Sequence, residues 1–154
     1  MASRPALPPA TRIQILRRDG WLCRYCGRKT IFEPVMRLLG ALFPDDFPHH
    51  PNWKNGYTHP AVLTRTAEVD HIVPGSRGGS WTDPENLVAC CSRCNTSKAD
   101  LTLEEVGWTI RSVPEASGWH GLTELYPALW EAAGRPDASH HGIWIAQLRR
   151  TEVS

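Results

Sequence analysis

The chain is expected to fold as a small α+β domain: two short strands and a helix, stapled by two pairs of cysteines. Three observations carry this. Cys23-x-x-Cys26 and Cys91-x-x-Cys94 repeat one spacing at two distant places. Glu68 to Val73 and Asn86 to Cys90 read as strands on either side of a glycine-rich turn from Pro74 to Ser80. Cys94 to Lys98 then opens a helix. At 154 residues the chain fits one domain with extensions, and 41% hydrophobic with 21% charged residues is ordinary for a globular protein. Thirteen prolines and twelve glycines point to many loops.

In order, residues 1–10 carry three prolines without periodicity and read as a flexible arm. Thr11 caps a helix through Arg18, with Ile13 and Leu16 on one side and Asp19-Gly20 at its end. Trp21 to Cys26 leads into the first cysteine pair. A folded insert of about 30–66 follows. In it Pro34 suits a first helical position, and Val35, Met36, Leu38, Leu39, Leu42 and Phe43 recur at helical spacing up to Pro44. Residues 44–60 read as a loop whose His49, His50 and His59 lack tight ligand spacing, so no metal is assigned there. Trp53 and Tyr57 in that loop suit packing against the body better than stacking on bases. With residues 11–106 as the central domain, 107–154 reads as a helical C-terminal extension. Pro127 and Gly134 bracket one helix, Ile143 to Arg150 forms another, and the tryptophans are core.

Zinc favours four thiolates in a tetrahedron, and each C-x-x-C turn offers two sulfurs along one edge. Cys23, Cys26, Cys91 and Cys94 are therefore the expected structural zinc ligands. The 64 residues between Cys26 and Cys91 exceed a simple finger loop, so the ion would join distant parts of the chain. A Cys90-x-x-x-Cys94 pairing is the alternative. Cys91 is preferred because its spacing matches the first pair, leaving Cys90 in the strand as a small apolar residue.

Asp70, His71 and Asn86 lie between the cysteine pairs, and Asn95 directly follows the second. Hydrolysing a phosphodiester needs a nucleophilic water, neutralisation of the charge that develops and stabilisation of the leaving oxygen. His71 suits a general base near neutral pH if its other ring nitrogen is fixed. The oxygens of Asp70 and Asn95 suit a hard cation, Mg2+ or Mn2+. Asn86 can tie the loop after His71 to the second strand, a positioning role within the catalytic set. Lys98, one turn beyond Asn95, and Arg77, in the turn, are expected phosphate contacts. One difficulty is visible at once: strand neighbours face opposite sides, so Asp70 and His71 can meet one phosphate only if the pleat breaks there.

Net charge is only +1, yet Arg12, Arg17, Arg18, Arg24, Arg28 and Lys29 oppose Asp19 alone between positions 12 and 29. That excess of five makes Arg24 and its neighbours candidate nucleic-acid contacts. No apolar run is long enough to cross a bilayer and the start lacks a secretory core, so a cytoplasmic protein without membrane partners is expected.

Cys23-Arg24-Tyr25-Cys26-Gly27, Val69-Asp70-His71-Ile72-Val73-Pro74, Gly78-Gly79, Glu85-Asn86-Leu87 and Cys91-Ser92-Arg93-Cys94-Asn95 resemble the HNH endonuclease family. Fourteen residues separate His71 from Asn86 and eight separate Asn86 from Asn95, with asparagine in the third position, an H-N-N variant. The resemblance covers roughly residues 12–106. It implies a ββα-metal (His-Me finger) core, a divalent-metal nuclease with His71 as base and Asp70 and Asn95 as metal ligands, and products with 5′ phosphate and 3′ hydroxyl ends. The expected substrate is DNA, with RNA left open, and duplex cleavage would call for two protomers. The insert is longer than in compact members, and 107–154 matches no family feature. The competing class is a noncatalytic zinc-ribbon-like module that binds nucleic acid or protein; it has no use for the Asp70, His71, Asn95 set. A toxin nuclease with an immunity partner ranks last.

Overall fold

The computed structural model describes residues 6–150, so half of the segment read as an arm and the last four residues of the extension lie outside it. Helix α1, Pro9–Arg18, begins two residues before the expected cap because Pro9 occupies its first position, where a missing N–H costs nothing. It buries Ile13, Ile15 and Leu16 and ends at Asp19 and Gly20, the latter with φ 65. Helix α2, Glu33–Leu42, carries Pro34 in its first turn and buries Val35, Met36 and Leu38, while Phe43 falls past its end and is exposed. Helix α3, Pro60–Arg65, was not expected: its N-cap is His59, whose Nδ1 accepts from the N–H of Ala61, and histidine is no usual capping signal.

Strand β1, Ala67–His71, pairs antiparallel with β2, Leu87–Cys91, in the register Glu68↔Cys90 and Asp70↔Val88. All five residues of β2 are buried, as its unbroken apolar run requires. Helix α4, Ser92–Lys98, follows directly. Beyond it come α5, Leu103–Val106, α6, Tyr126–Ala132, and α7, Ala138–Arg150. The strand–turn–strand–helix order predicted for the centre is thus observed, each boundary within two residues. Among the described residues no helix is long and apolar enough to cross a membrane.

The two faces of the sheet support two cores. Ala89, with Ala67 and Val69, packs into a cluster with Ile13 and Leu16 of α1, Val35 and Leu38 of α2, and Tyr126, Ile145 and Leu148 of α6 and α7. Residues of the stretch read as an extension therefore share one apolar core with the first two helices. Within it the buried Tyr126 hydroxyl and His141 Nδ1 lie 2.6 Å apart, and burial, with His140 alongside, holds the His141 imidazole below its ordinary range. On the opposite face Val88 and Cys90 pack with Cys23, Tyr25, Cys91, Trp108 and Ile110.

Asp19 locks α1 to β2. Its fully buried carboxylate accepts from Arg18 Nε at 2.8 Å, from Arg24 Nη1 at 2.8 Å and from the N–H of Ala89 at 2.8 Å. The N–H of Arg24 donates to the carbonyl of Ala89, so this segment covers the outer edge of β2. From Glu68 to His71 the other edge of the sheet, on β1, has no strand partner among the described residues. That open edge is where the polar residues gather.

Candidate active site and metal centre

The end of β2 and the first turn of α4 present Cys91 and Cys94, while the turn closed by Gly27, φ 80, presents Cys23 and Cys26. The four sulfurs lie within 4.8 Å of one another, and Cys26 Sγ is 3.9 Å from Cys91 Sγ. A tetrahedron with metal–sulfur bonds of about 2.3 Å has edges of about 3.8 Å, so the group could hold a metal ion such as zinc. Backbone N–H groups of Cys26 and Cys94 point at Cys23 Sγ and Cys91 Sγ, each at 3.4 Å. The Cys91 thiol, with the backbone N–H groups of Cys91, Cys26 and Tyr25, brings Cys23 down to about 5, whereas the Cys23 sulfur and burial hold Cys91 up. Four thiolates this close need a cation to coexist. Cys90 stays out of the group: it is fully buried on the sheet face, and desolvation raises its thiol well above the ordinary range.

Glu68 and Asp70, two apart on β1, project to the face that α4 covers. Asn95 Nδ2 donates to Glu68 Oε2 at 2.8 Å, which turns Asn95 Oδ1 away from that carboxylate as the side chain's remaining ligand atom. Burial raises the Glu68 carboxyl, opposed by this hydrogen bond and by Arg12. Lys98 Nζ lies 3.0 Å from Asp70 Oδ2 and donates to the His71 carbonyl at 3.1 Å. The Tyr25 hydroxyl donates to the same Asp70 oxygen at 2.7 Å, and burial beside Asp70 keeps that phenol protonated. Asp70 thus retains Oδ1 for a further partner.

His71 points to the opposite face. Its Nε2 is 2.9 Å from the Trp81 carbonyl, and the Trp81 ring meets the imidazole edge-on at 4.6 Å. A carbonyl can only accept, so Nε2 carries the proton and Nδ1 the lone pair. Asn86 builds this arrangement. Its Oδ1 accepts from the N–H of Val73 at 2.9 Å, and its Nδ2 donates to the carbonyls of Val73 and Ser80 at 3.0 and 2.8 Å. The loop between the strands is thereby closed one residue before Trp81. Gly79 lets it close: a Cβ there would lie 1.8 Å from the Val73 carbonyl oxygen.

Several expectations need correction. The pleat does not break at Asp70, because His71 still pairs with Leu87 in regular register. Asp70 and His71 leave opposite faces of β1, next to the edge of that strand on which the described residues place no further strand. Lys98 is not a solvent-facing phosphate contact. It is fully buried, since its ammonium is needed between Asp70 and the His71 carbonyl. Arg24 is likewise committed inward, to Asp19 and to the Arg111 carbonyl at 2.6 Å. Arg18 joins it on Asp19, and Arg17 Nη2 donates to the Leu148 carbonyl, so the basic stretch largely builds the fold. Arg77 pairs with Glu105 at 2.8 Å, both exposed. Such a surface pair contributes about 0.2–1 kcal/mol and yields readily to a phosphate. Sequence reasoning missed Tyr25, Glu68 and Trp81. For Glu68 the signal was its position two residues before Asp70 on a strand, hence on the same face.

A match to the HNH endonuclease family covers residues 58–101. A CRISPR-associated endonuclease Cas9 from Corynebacterium diphtheriae is 43% identical over 97 residues, which is 63% of this chain and 6% of that protein. The chain therefore spans about 6% of the length of that relative. No solved structure matches. The segment 58–101, which holds Asp70 and His71 on β1, Asn86 in the turn before β2 and Asn95 on α4, is the part of the chain that matches the HNH endonuclease family.

Proposed function

We propose that the protein is a divalent-metal-dependent endonuclease that hydrolyses phosphodiester bonds in DNA. The observation that carries this reading is His71 Nε2 held 2.9 Å from the Trp81 carbonyl, a contact that assigns Nε2 as the donor and leaves Nδ1 to act as the base. The substrate phosphate would lie along the open edge of β1, where His71 Nδ1 removes a proton from the attacking water. Asp70 Oδ1 and Asn95 Oδ1 would hold one Mg2+ or Mn2+, two hard oxygens suited to such an ion. That ion would supply charge neutralisation at the phosphate and at the leaving 3′ oxygen. Lys98 and Tyr25 fix the orientation of Asp70, and Glu68 that of Asn95. Asn86 acts as a positioning residue through the Ser80–Trp81 segment. Zinc at the four cysteines would hold α4, and with it Asn95, against the sheet. Likeness to the HNH family, and to one endonuclease over most of this chain, supports the substrate class. Each site cuts one strand, so duplex cleavage would require two protomers.

The competing reading, a noncatalytic zinc-stapled binding module, is favoured by one observation: Asp70 Oδ2 is already engaged by Lys98 and Tyr25. A supercoiled plasmid separates the two. Nicking with Mg2+ or Mn2+, stopped by chelation and leaving 5′ phosphate ends, is the expected result. Binding without any cleavage across several metals would establish the module instead.

The turn gives a second prediction. Gly79→Ala pushes the backbone away from Val73 and so displaces the Trp81 carbonyl that fixes His71. A shift of about 1 Å costs roughly 10²-fold in rate. The nicking rate should fall by that order while zinc content is unchanged. A Gly79→Ala protein as active as the parent would show that the loop does not position the base.

A further inference from the structure

A cavity of about 260 Å³ opens beside the first half of β1. Its walls come from separate stretches of chain: Arg12 of α1, Phe32 and Arg37 at α2, Trp53 of the loop before α3, Glu68 of β1 and Trp144 of α7. Ala67, Glu68 and Val69 all border it. Side chains alternate along a strand, so three consecutive residues can line one cavity only where it lies against the strand's edge. The open edge of β1 therefore carries two neighbouring features, this cavity and then Asp70-His71. Glu68 is their common wall, because its carboxylate also holds the Asn95 amide.

Resting on the nuclease reading above, we propose that this cavity receives one unstacked base of the substrate strand, next to the phosphodiester that is cut. Its size sits just below the roughly 300–1,000 Å³ of pockets for drug-sized ligands, the scale of a single heterocycle. Phe32 is buried and meets Trp144 edge-on at 5.2 Å, so it braces that indole. Trp53 and Trp144 are then the half-buried aromatic faces against which a base can stack. Trp53 holds a left-handed backbone with φ 53, a conformation that a bulky side chain adopts only under constraint. A loop that merely had to turn would be served better by glycine or asparagine. Arg37 is held at the rim by Glu33 Oε1 at 2.6 Å and by His140 Nε2 at 3.3 Å, a fixed guanidinium for a base edge or a flanking phosphate. Except for Ala67, Glu68, Val69 and Thr66, the lining lies outside the segment matched to the family. The pocket is thus a feature that the insert and the C-terminal helices add to the cutting edge.

The test begins by mapping the cleavage position on plasmid DNA and building duplexes around it, each with one abasic position near the cut. Trp53→Ala should lower kcat/KM on the intact duplex by about 5- to 150-fold, the range expected for one lost stacking contact. For one abasic duplex the wild type and Trp53→Ala should cut equally, and Trp53→Phe should recover part of the loss on the intact duplex. Unchanged melting temperature guards against misfolding. Wild-type rates for Trp53→Ala, or losses that simply multiply with every abasic position, would overturn the pocket while leaving the nuclease standing. A second arm is independent of cleavage: oligonucleotides carrying 5-iododeoxyuridine at successive positions are irradiated with the zinc-loaded protein without added Mg2+ or Mn2+. Adducts on Trp53 or Trp144 are expected, and adducts confined to other residues would overturn the proposal. Adducts at Trp53 in a protein that never cuts would retain the pocket and discard the nuclease.

Discussion

Cys23→Ser is expected to release the zinc ion and unfold the zinc-side layer of the protein. Cys23 is buried, and its sulfur is one of four within 4.8 Å that come from two remote parts of the chain. Structural zinc supplies an apparent ~10–16 kcal/mol in small peptides, against a total stability of about 5–15 kcal/mol for a typical domain. The apolar cluster on that face is small, built around Tyr25, Val88, Cys90 and Trp108, and cannot replace such a contribution. Cys94 adjoins Asn95 on α4, so losing the ion also frees the helix that carries Asn95 and Lys98. The expected readings are one zinc per chain in the parent, none in Cys23→Ser, and loss of the cooperative thermal transition, with chelation of the parent reproducing both. A metal-free parent with four reduced thiols and an unaltered melting curve would remove zinc from the account.

His71→Ala is expected to lower plasmid nicking by about 10²- to 10⁴-fold, the usual contribution of a general base, with zinc content and melting temperature retained. Folding should survive because the imidazole makes one hydrogen bond and one ring contact at the strand end, outside either apolar cluster. The Ile72 N–H still donates to the Asn86 carbonyl and the Lys98 bond is to the His71 carbonyl, which alanine keeps. The loss should appear in kcat at saturating Mg2+, since no metal contact is removed. Activity within a few-fold of the parent would assign the proton to another group and take away the main support for the proposed mechanism.

The central pattern was legible in the sequence because it is local or fixed by spacing. Strand periodicity, the turn glycines, the repeated C-x-x-C spacing and the choice of Cys91 over Cys90 need no knowledge of distant residues, and the fold reproduces them. Asn86 as the tie between the loop and the second strand was readable for the same reason. The roles of the cations were not. An arginine or lysine in a sequence is a charge without an address, and only packing decided that Arg24 and Arg18 meet Asp19 and that Lys98 is buried against Asp70. Helix α3 escaped notice because its cap is a histidine and it is six residues long.

By itself the sequence determined the four-cysteine group, the two strands with their helix, and which polar side chains sit at their ends, all properties set by separations of a few residues. Tertiary structure alone decided that Asp70 and His71 leave opposite faces of an unbroken strand, beside an edge that no other described strand covers. Among the described residues the sheet has two strands, with Asp19 and Arg24 covering the edge of β2 and no strand pairing with Glu68 to His71 on the other side. Which edge remains open depends on contacts between residues some seventy positions apart, and no local pattern encodes those.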